Sequence, residues 1–189
     1  AYHTRFNRQN VIDTDLDPQQ VFVYRLNGKS FSNSVQAELN YSPFEHFDMR
    51  LAYRWLDVKT DYAGGRRQKP LIANQRAFVN LAYETHSSWK FDLTTQWIGK
   101  KRIPFTQTNP ANKRMPAFSP SYLQMSSQVT KSLGEKWDVY LGAENITNYT
   151  QKEMILSAIA PFSPYFDASM VWGPVNERII YLGFRFKVK

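Results

Sequence analysis

WKFDLTTQWIG, Trp89 to Gly99, sets Trp89, Phe91 and Leu93 on alternate positions, with Trp97 two beyond Thr95. Between them lie Lys90, Asp92, Thr94 and Gln96. Successive side chains of a strand point to opposite faces, so this stretch has one apolar face and one polar enough for water. Everything about the fold turns on what lies against the apolar face.

The same period recurs along the chain. Ser34 to Tyr41 alternates Val35, Ala37, Leu39 and Tyr41 with Gln36, Glu38 and Asn40. Phe47 to Trp55 sets Phe47, Met49, Leu51, Tyr53 and Trp55 against Asp48, Arg50, Ala52 and Arg54. Arg76 to Thr85, Trp137 to Asn145 and Ile180 to Val188 follow suit, and Tyr2 to Asp13 and Ser121 to Leu133 do so less cleanly. No segment sustains a helical period. The pattern predicts an all-β chain, an antiparallel up-and-down meander of about eight strands.

Connections between these segments alternate in length. Short ones follow Tyr41 (SPFE), Thr85 (HSS) and Leu133 (GEK). Long ones run at about Asp13 to Gln20, Lys59 to Gln75, Lys100 to Pro120 and Thr147 to Asn176. Outer-membrane barrels have such unlike ends, short turns on the periplasmic side and long loops outside. A soluble sandwich or lipocalin-like barrel also alternates, with its apolar face on a core. Three features favour lipid over a core. Aromatic residues gather at strand ends (Tyr53, Trp55, Trp89, Trp97, Trp137), where interfacial girdles are expected. The polar face carries charges along whole strands. The longest loops exceed what a compact sandwich needs. Phe91 and Leu93 are thus expected to face lipid.

Bulk properties, though polar on average as in a soluble protein, do not exclude this, because barrel strands hide their apolar residues in alternation. The 189 residues contain 15% aromatics, mean hydropathy −0.52 and a formal charge of +8. No apolar run approaches the roughly 18–20 residues of a membrane helix, which leaves strands as the only spanning element. The start, AYHTRFNRQ, has no basic segment followed by an apolar one, so no signal peptide is expected in it. There is no cysteine, hence no disulfide or thiolate metal site.

Residues able to carry chemistry are sparse. DTDLDP, Asp13 to Pro18, spaces three carboxylates like the start of a calcium loop, but Pro18 stands where that loop needs Gly and no Glu follows at the twelfth position. A solvated loop is expected. The basic clusters GRRQK (Arg66, Arg67, Lys69), GKKR (Lys100, Lys101, Arg102) and NKR (Lys113, Arg114) fall at the long-loop end. Lacking interleaved aromatics, they suit lipid phosphate or solvation better than nucleic acid. His3, His46 and His86 are scattered, Asn145-Ile146-Thr147 is an incidental glycosylation match, and no catalytic or cofactor motif is present. No enzyme and no cofactor are expected.

The strings LNGKSFSNSVQAELNYSP, LAYRWLDVKTDY, KPLIANQRAFVNLAYET and WKFDLTTQWIGKKRIP, and the whole run Tyr140 to Lys189 with AENITNY and PFSPYFDASMVWGP, resemble TonB-dependent outer-membrane receptors of the Bacteroidota type. The resemblance implies the C-terminal part, residues 1–189, of a 22-stranded barrel, with the plug domain and earlier strands outside this sequence. It implies uptake of a scarce solute (siderophore, corrinoid, glycan or peptide) across the outer membrane of a Gram-negative bacterium. Implied partners are the bilayer with its lipopolysaccharide, the TonB complex through the plug, the barrel-assembly machinery and a surface lipoprotein. It also implies an assembly signal in the last strand, onto which Gly183, Phe186 and Val188 map, with Lys189 in place of the usual closing aromatic. PFSPYFDASMVWGP is expected to fold into the extracellular mouth and pack on neighbouring loops. Two other readings stand beside this one: a free-standing eight-stranded outer-membrane barrel acting as anchor or adhesin, and a soluble all-β binding module.

Overall fold

The computed structural model describes residues 1–17, 20, 22–62 and 64–188; Pro18 and Lys189 lie outside them. Eleven strands form: β1 (Tyr2–Asn7), β2 (Asn10–Asp13), β3 (Phe22–Arg25), β4 (Lys29–Phe44), β5 (Phe47–Tyr62), β6 (Gly65–Gln68), β7 (Gln75–Glu84), β8 (Trp89–Ile98), β9 (Tyr122–Leu133), β10 (Trp137–Glu144) and β11 (Ile179–Phe186). Eight make one antiparallel meander in the order β1-β4-β5-β7-β8-β9-β10-β11. The small β6 adds to β5, and β2 pairs with β3 in a separate ribbon. Among the described residues no helix is long and apolar enough to cross a membrane.

Register follows the sequence period. Leu39, Leu51, Val79 and Thr95 lie in one row, and Met49, Leu81, Leu93, Ser127, Ala143 and Ile180 in another. A one-residue slip would exchange the two faces of a strand, so the pattern pins the pairing. Phe91 remains 43% and Leu141 53% exposed, because among the described residues no second layer lies over this face. Every buried hydrophobic side chain among the described residues sits instead at or beyond the long-loop ends of the strands. They form two clusters, Val11, Leu26 and Tyr62, and Ile103, Met115 and Met170, with Ala73 and Ile98 beside them.

The unlike ends are plain in the structure. Three short turns join β4 to β5, β7 to β8 and β9 to β10, each with one residue at positive φ: His46 (64°), Ser88 (62°) and Gly134 (64°). Several strand limits differ from the sequence reading. β4 runs on through Pro43 to Phe44, its register shifting between Tyr41 and Phe44, since a bulge tolerates a proline that cannot donate. β4 and β5 each reach 16 residues, well beyond the roughly 9–11 that cross a bilayer. At their far ends β4 pairs with β1 on its other side, and β5 with β6. The expected first strand is broken at Arg8 (φ 57°) into β1 and β2. The last strand ends at Phe186, so Val188 lies past it.

The sheet does not close. β1 and β11 are each hydrogen-bonded on one side, and no pairing joins them among the described residues. Closure by these eight strands alone, which a small free-standing barrel would need, is not what the chain adopts.

Candidate functional site

The apolar face carries two aromatic belts with an aliphatic middle. Near the short turns, Phe44 stacks on Phe47 (4.9 Å), Trp89 on Phe91 (6.5 Å), and Trp137 packs against Phe186 (4.6 Å). Lys131 Nζ lies 5.2 Å over the Trp89 ring. Toward the long loops stand Tyr53, Trp55 and Trp97, with Leu51, Leu81 and Leu93 between the belts. The opposite face is ionic. Arg50 pairs with Glu38 (2.8 Å), Lys90 with Glu84 (3.2 Å) and Lys187 with Asp138 (3.1 Å), while Asn80 donates to Asp92 and Thr94. Near the short turns this face forms a groove of about 550 Å³ lined by Asp48, Lys90, Asp92, Asp138, Arg185 and Lys187.

The residues of the expected assembly signal separate. Phe186 joins the outward aromatic cluster with Trp137, and Val188 is exposed. Gly183 lies on the ionic face, and the Tyr140 ring covers it so closely that a Cβ there would sit 2.4 Å from the phenol carbon Cζ. Gly142 is covered likewise by Tyr181, whose hydroxyl lies 3.1 Å from Gln128 Oε1. The strands continue in register through both glycines, so each takes a ring from the neighbouring strand rather than making a kink. Gly183→Ala should displace Tyr140 and cost about 0.5–1 kcal/mol, the scale of a cross-strand pair. In a Tyr140→Ala background the same change should be near neutral; chemical unfolding of the four variants of this cycle checks it.

At the long-loop end Asp15 is the hub. Its side chain is 2% exposed, and Arg102 grips both oxygens at 2.9 Å. Arg67 (3.3 Å) and the backbone N–H of Phe105 (2.9 Å) also donate to it. Burial pushes this carboxyl upward, but the Arg102 and Phe105 hydrogen bonds and the two guanidinium groups outweigh it and hold the group below its usual range. Three connections are tied together here, β1–β4, β5–β7 and β8–β9. The solvated loop expected of DTDLDP is thereby corrected: Asp13 is buried too, accepting from Tyr24 (2.8 Å) and from the Asp15 N–H (3.0 Å). The basic clusters need the same correction at Arg67, Lys101 and Arg102. Arg67 and Arg102 serve Asp15, Arg66 pairs with Asp61 (2.6 Å), Arg114 donates to the Asn109 carbonyl (2.7 Å), and Lys101 donates to the Trp172 carbonyl. Burial, with Arg76 nearby, lowers the Lys101 amine from its ordinary value. Lys100 and Lys69 stay exposed.

PFSPYFDASMVWGP largely packs inward. Met170 is fully buried, and Trp172 leans on Tyr122, which stacks on Tyr149 (5.2 Å). Phe162, at its tip, is 97% exposed. Two organisers of this loop were not recognised as such in the sequence, where Asn145 figured only in an incidental glycosylation match. Gln151 is buried and fully used: its amide donates to the carbonyls of Glu153 and Met170, and its oxygen accepts from the Trp172 and Gly173 N–H groups. Asn145, at φ 48°, donates to the carbonyls of Tyr149 and Asn176 and accepts from the Tyr149 N–H. An asparagine closing a strand is the one available signal, since it tolerates the left-handed region. Between these loops opens a cavity of about 410 Å³ bordered by Ile103, Arg114, Met115, Tyr149, Lys152 and Trp172.

His46 and His86, scattered in sequence, meet at the short-turn end with ring centres 5.2 Å apart, while His3 is 2.5 Å from Asn33. Among the described residues no group of three or more His, Asp or Glu is placed to hold a metal.

No protein-family model matches the chain, and no curated protein matches it in sequence. Solved structures do match its fold. Over 98% of its length the chain is similar to the closed form of the ferric-catecholate import receptor Fiu of E. coli K12, with a TM-score of 0.63 and 10% identity. The aligned part is 24% of that receptor, so the chain spans about a quarter of its length. At that identity the likeness is one of fold alone.

Proposed function

We propose that the chain is the C-terminal wall of the barrel of a TonB-dependent outer-membrane receptor that takes up a scarce solute. One observation carries the reading: a continuous eight-stranded meander leaves its apolar face uncovered, gathers its core at one end, and is similar along nearly its whole length to part of an import receptor. Hydrocarbon tolerates a sheet only when every strand is paired, so the free edges of β1 and β11 call for further strands. On this reading lipid meets Phe91 and Leu93, water and a plug domain meet the Arg50–Glu38 face, and the folded long loops form the outer mouth. Energy would come from the TonB complex through the plug. The assembly machinery would read β11, with Gly183, Phe186 and Val188 at its end. The solute is a siderophore, corrinoid, glycan or peptide, and the strings AENITNY and PFSPYFDASMVWGP support the Bacteroidota form of the receptor, in which a surface lipoprotein presents it.

These 189 residues contain no cysteine, so a direct test is available once any cysteine elsewhere in the gene product is replaced. Single cysteines at residues 90 to 96 of β8, in the full-length gene product in its native membrane, should label with period two. Positions 90, 92, 94 and 96 should react with a water-soluble maleimide, and 91, 93 and 95 should be reached only by a lipid-dissolved reagent. Uniform labelling from water would end the membrane reading. Closure of the eight strands by themselves in micelles would favour the free-standing barrel.

A further inference from the structure

We infer that the short-turn end carries a binding site for a divalent transition-metal ion, built on the imidazoles of His46 and His86. Both side chains belong to the meander itself, so the site stands apart from the question of what meets the apolar face.

The fold brings the two turns together. His46 closes the turn from β4 to β5, and His86 lies in the turn from β7 to β8. Pairing of β5 with β7 sets Phe47 opposite Tyr83 and so places these turns side by side. The backbone then fixes both ligand positions. The Glu84 N–H donates to the His46 carbonyl at 2.9 Å, and on the other flank the Ser132 N–H donates to the Ser88 carbonyl at 3.0 Å. At φ 64° position 46 would take glycine at no steric cost, so the turn by itself does not call for an imidazole.

Ring geometry supplies the argument for a metal. The ring centres lie 5.2 Å apart with their planes at 84°. A metal about 2.1 Å from one nitrogen of each ring would lie about 3 Å from each ring centre, and a tetrahedral angle at the metal would then separate the centres by about 5 Å. The observed spacing is that of a chelating pair. Among the described residues no hydrogen bond or ion pair engages either imidazole, and both side chains are exposed, so a metal displaces no partner. Local charge admits a cation. Glu45 adjoins His46, and Asp48 and Glu84 line the groove beside it. Of the cations on that groove, Lys90 is paired with Glu84 (3.2 Å), Lys187 with Asp138 (3.1 Å), and Arg185 stands opposite the same Asp138. Imidazole selects the ion, since it suits zinc, copper and nickel, whereas calcium and magnesium want oxygen ligands. With two protein nitrogens water completes the coordination, and the bound metal links the β4–β5 hairpin to the β7–β8 hairpin.

Isothermal titration of the untagged full-length gene product with Zn2+, and with Mg2+ as the oxygen-seeking control, tests it. Zn2+ should fill a site that either His46→Ala or His86→Ala weakens by at least about tenfold, since even an outer-shell partner is worth about 10–100-fold. The double variant should lose little beyond either single one, because a lone imidazole cannot chelate. His3→Ala should leave the site unchanged, and Mg2+ should not compete for it. Electron paramagnetic resonance of the Cu2+-loaded protein should show a signal coupled to two nitrogens that His86→Ala removes. Both rings are exposed, so each variant should fold, which circular dichroism follows. Unchanged Zn2+ affinity in a folded His46→Ala or His86→Ala variant, or a two-nitrogen copper signal that both variants keep, would overturn the site.

Discussion

Leu93→Arg is expected to destabilise the protein by about 2–4 kcal/mol, the cost of a cationic side chain near the middle of the lipid face of a transmembrane sheet. Leu93 sits in the aliphatic zone between the two aromatic belts, opposite Leu81 and Ser127. It is half-buried by its neighbours in the sheet, so the penalty depends on what surrounds the sheet. In a soluble module an uncovered position would accept arginine within about 0.5 kcal/mol. Gln96→Arg, on the ionic face opposite Phe78 and Gln124, is the matched control and should fall in that small range. Urea unfolding of the full-length gene product in lipid vesicles reads the difference. Equal effects of the two arginines would contradict lipid against Leu93.

Asp15→Ala should be the most damaging change at the long-loop end. It would leave Arg102, itself 12% exposed, without its carboxylate, and breaking a buried pair by removing one partner costs about 3–5 kcal/mol. Three connections would loosen together, raising hydrogen exchange at Phe105 and along 99–121 while β7 and β8 stay protected. The pH dependence follows from the same contacts. Because folding lowers the Asp15 pKa, its contribution is complete above the ordinary carboxylate value near 3.8 and fades as pH falls through the lowered value. Proteolytic protection of the loops should therefore drop below about pH 4. Asp15→Asn, already weakened at neutral pH, should lack that acid step.

Alternation was legible because it is local. Lys90 to Gln96 announces two faces whatever the chain does elsewhere, and the unlike connections announce two unlike ends. Asp15 was not legible in this way. Three aspartates in five residues look like a wet loop until Arg102, 87 positions away, is brought against the middle one. Arg67, Lys101 and Arg102 were misread for the same reason, since a run of cations shows its sign but not its partners. That Gly183 lies under the Tyr140 ring was not legible either, since the ring comes from the neighbouring strand.

The sequence by itself determined the strand period, the two faces and the order of short and long connections, because each depends on neighbours two residues apart or on segment length. Only the tertiary structure decided which charges are buried, where the core lies, and that the eight strands remain open. Those depend on contacts between segments distant in the chain, and on pairing that either returns to β1 or stops at β11.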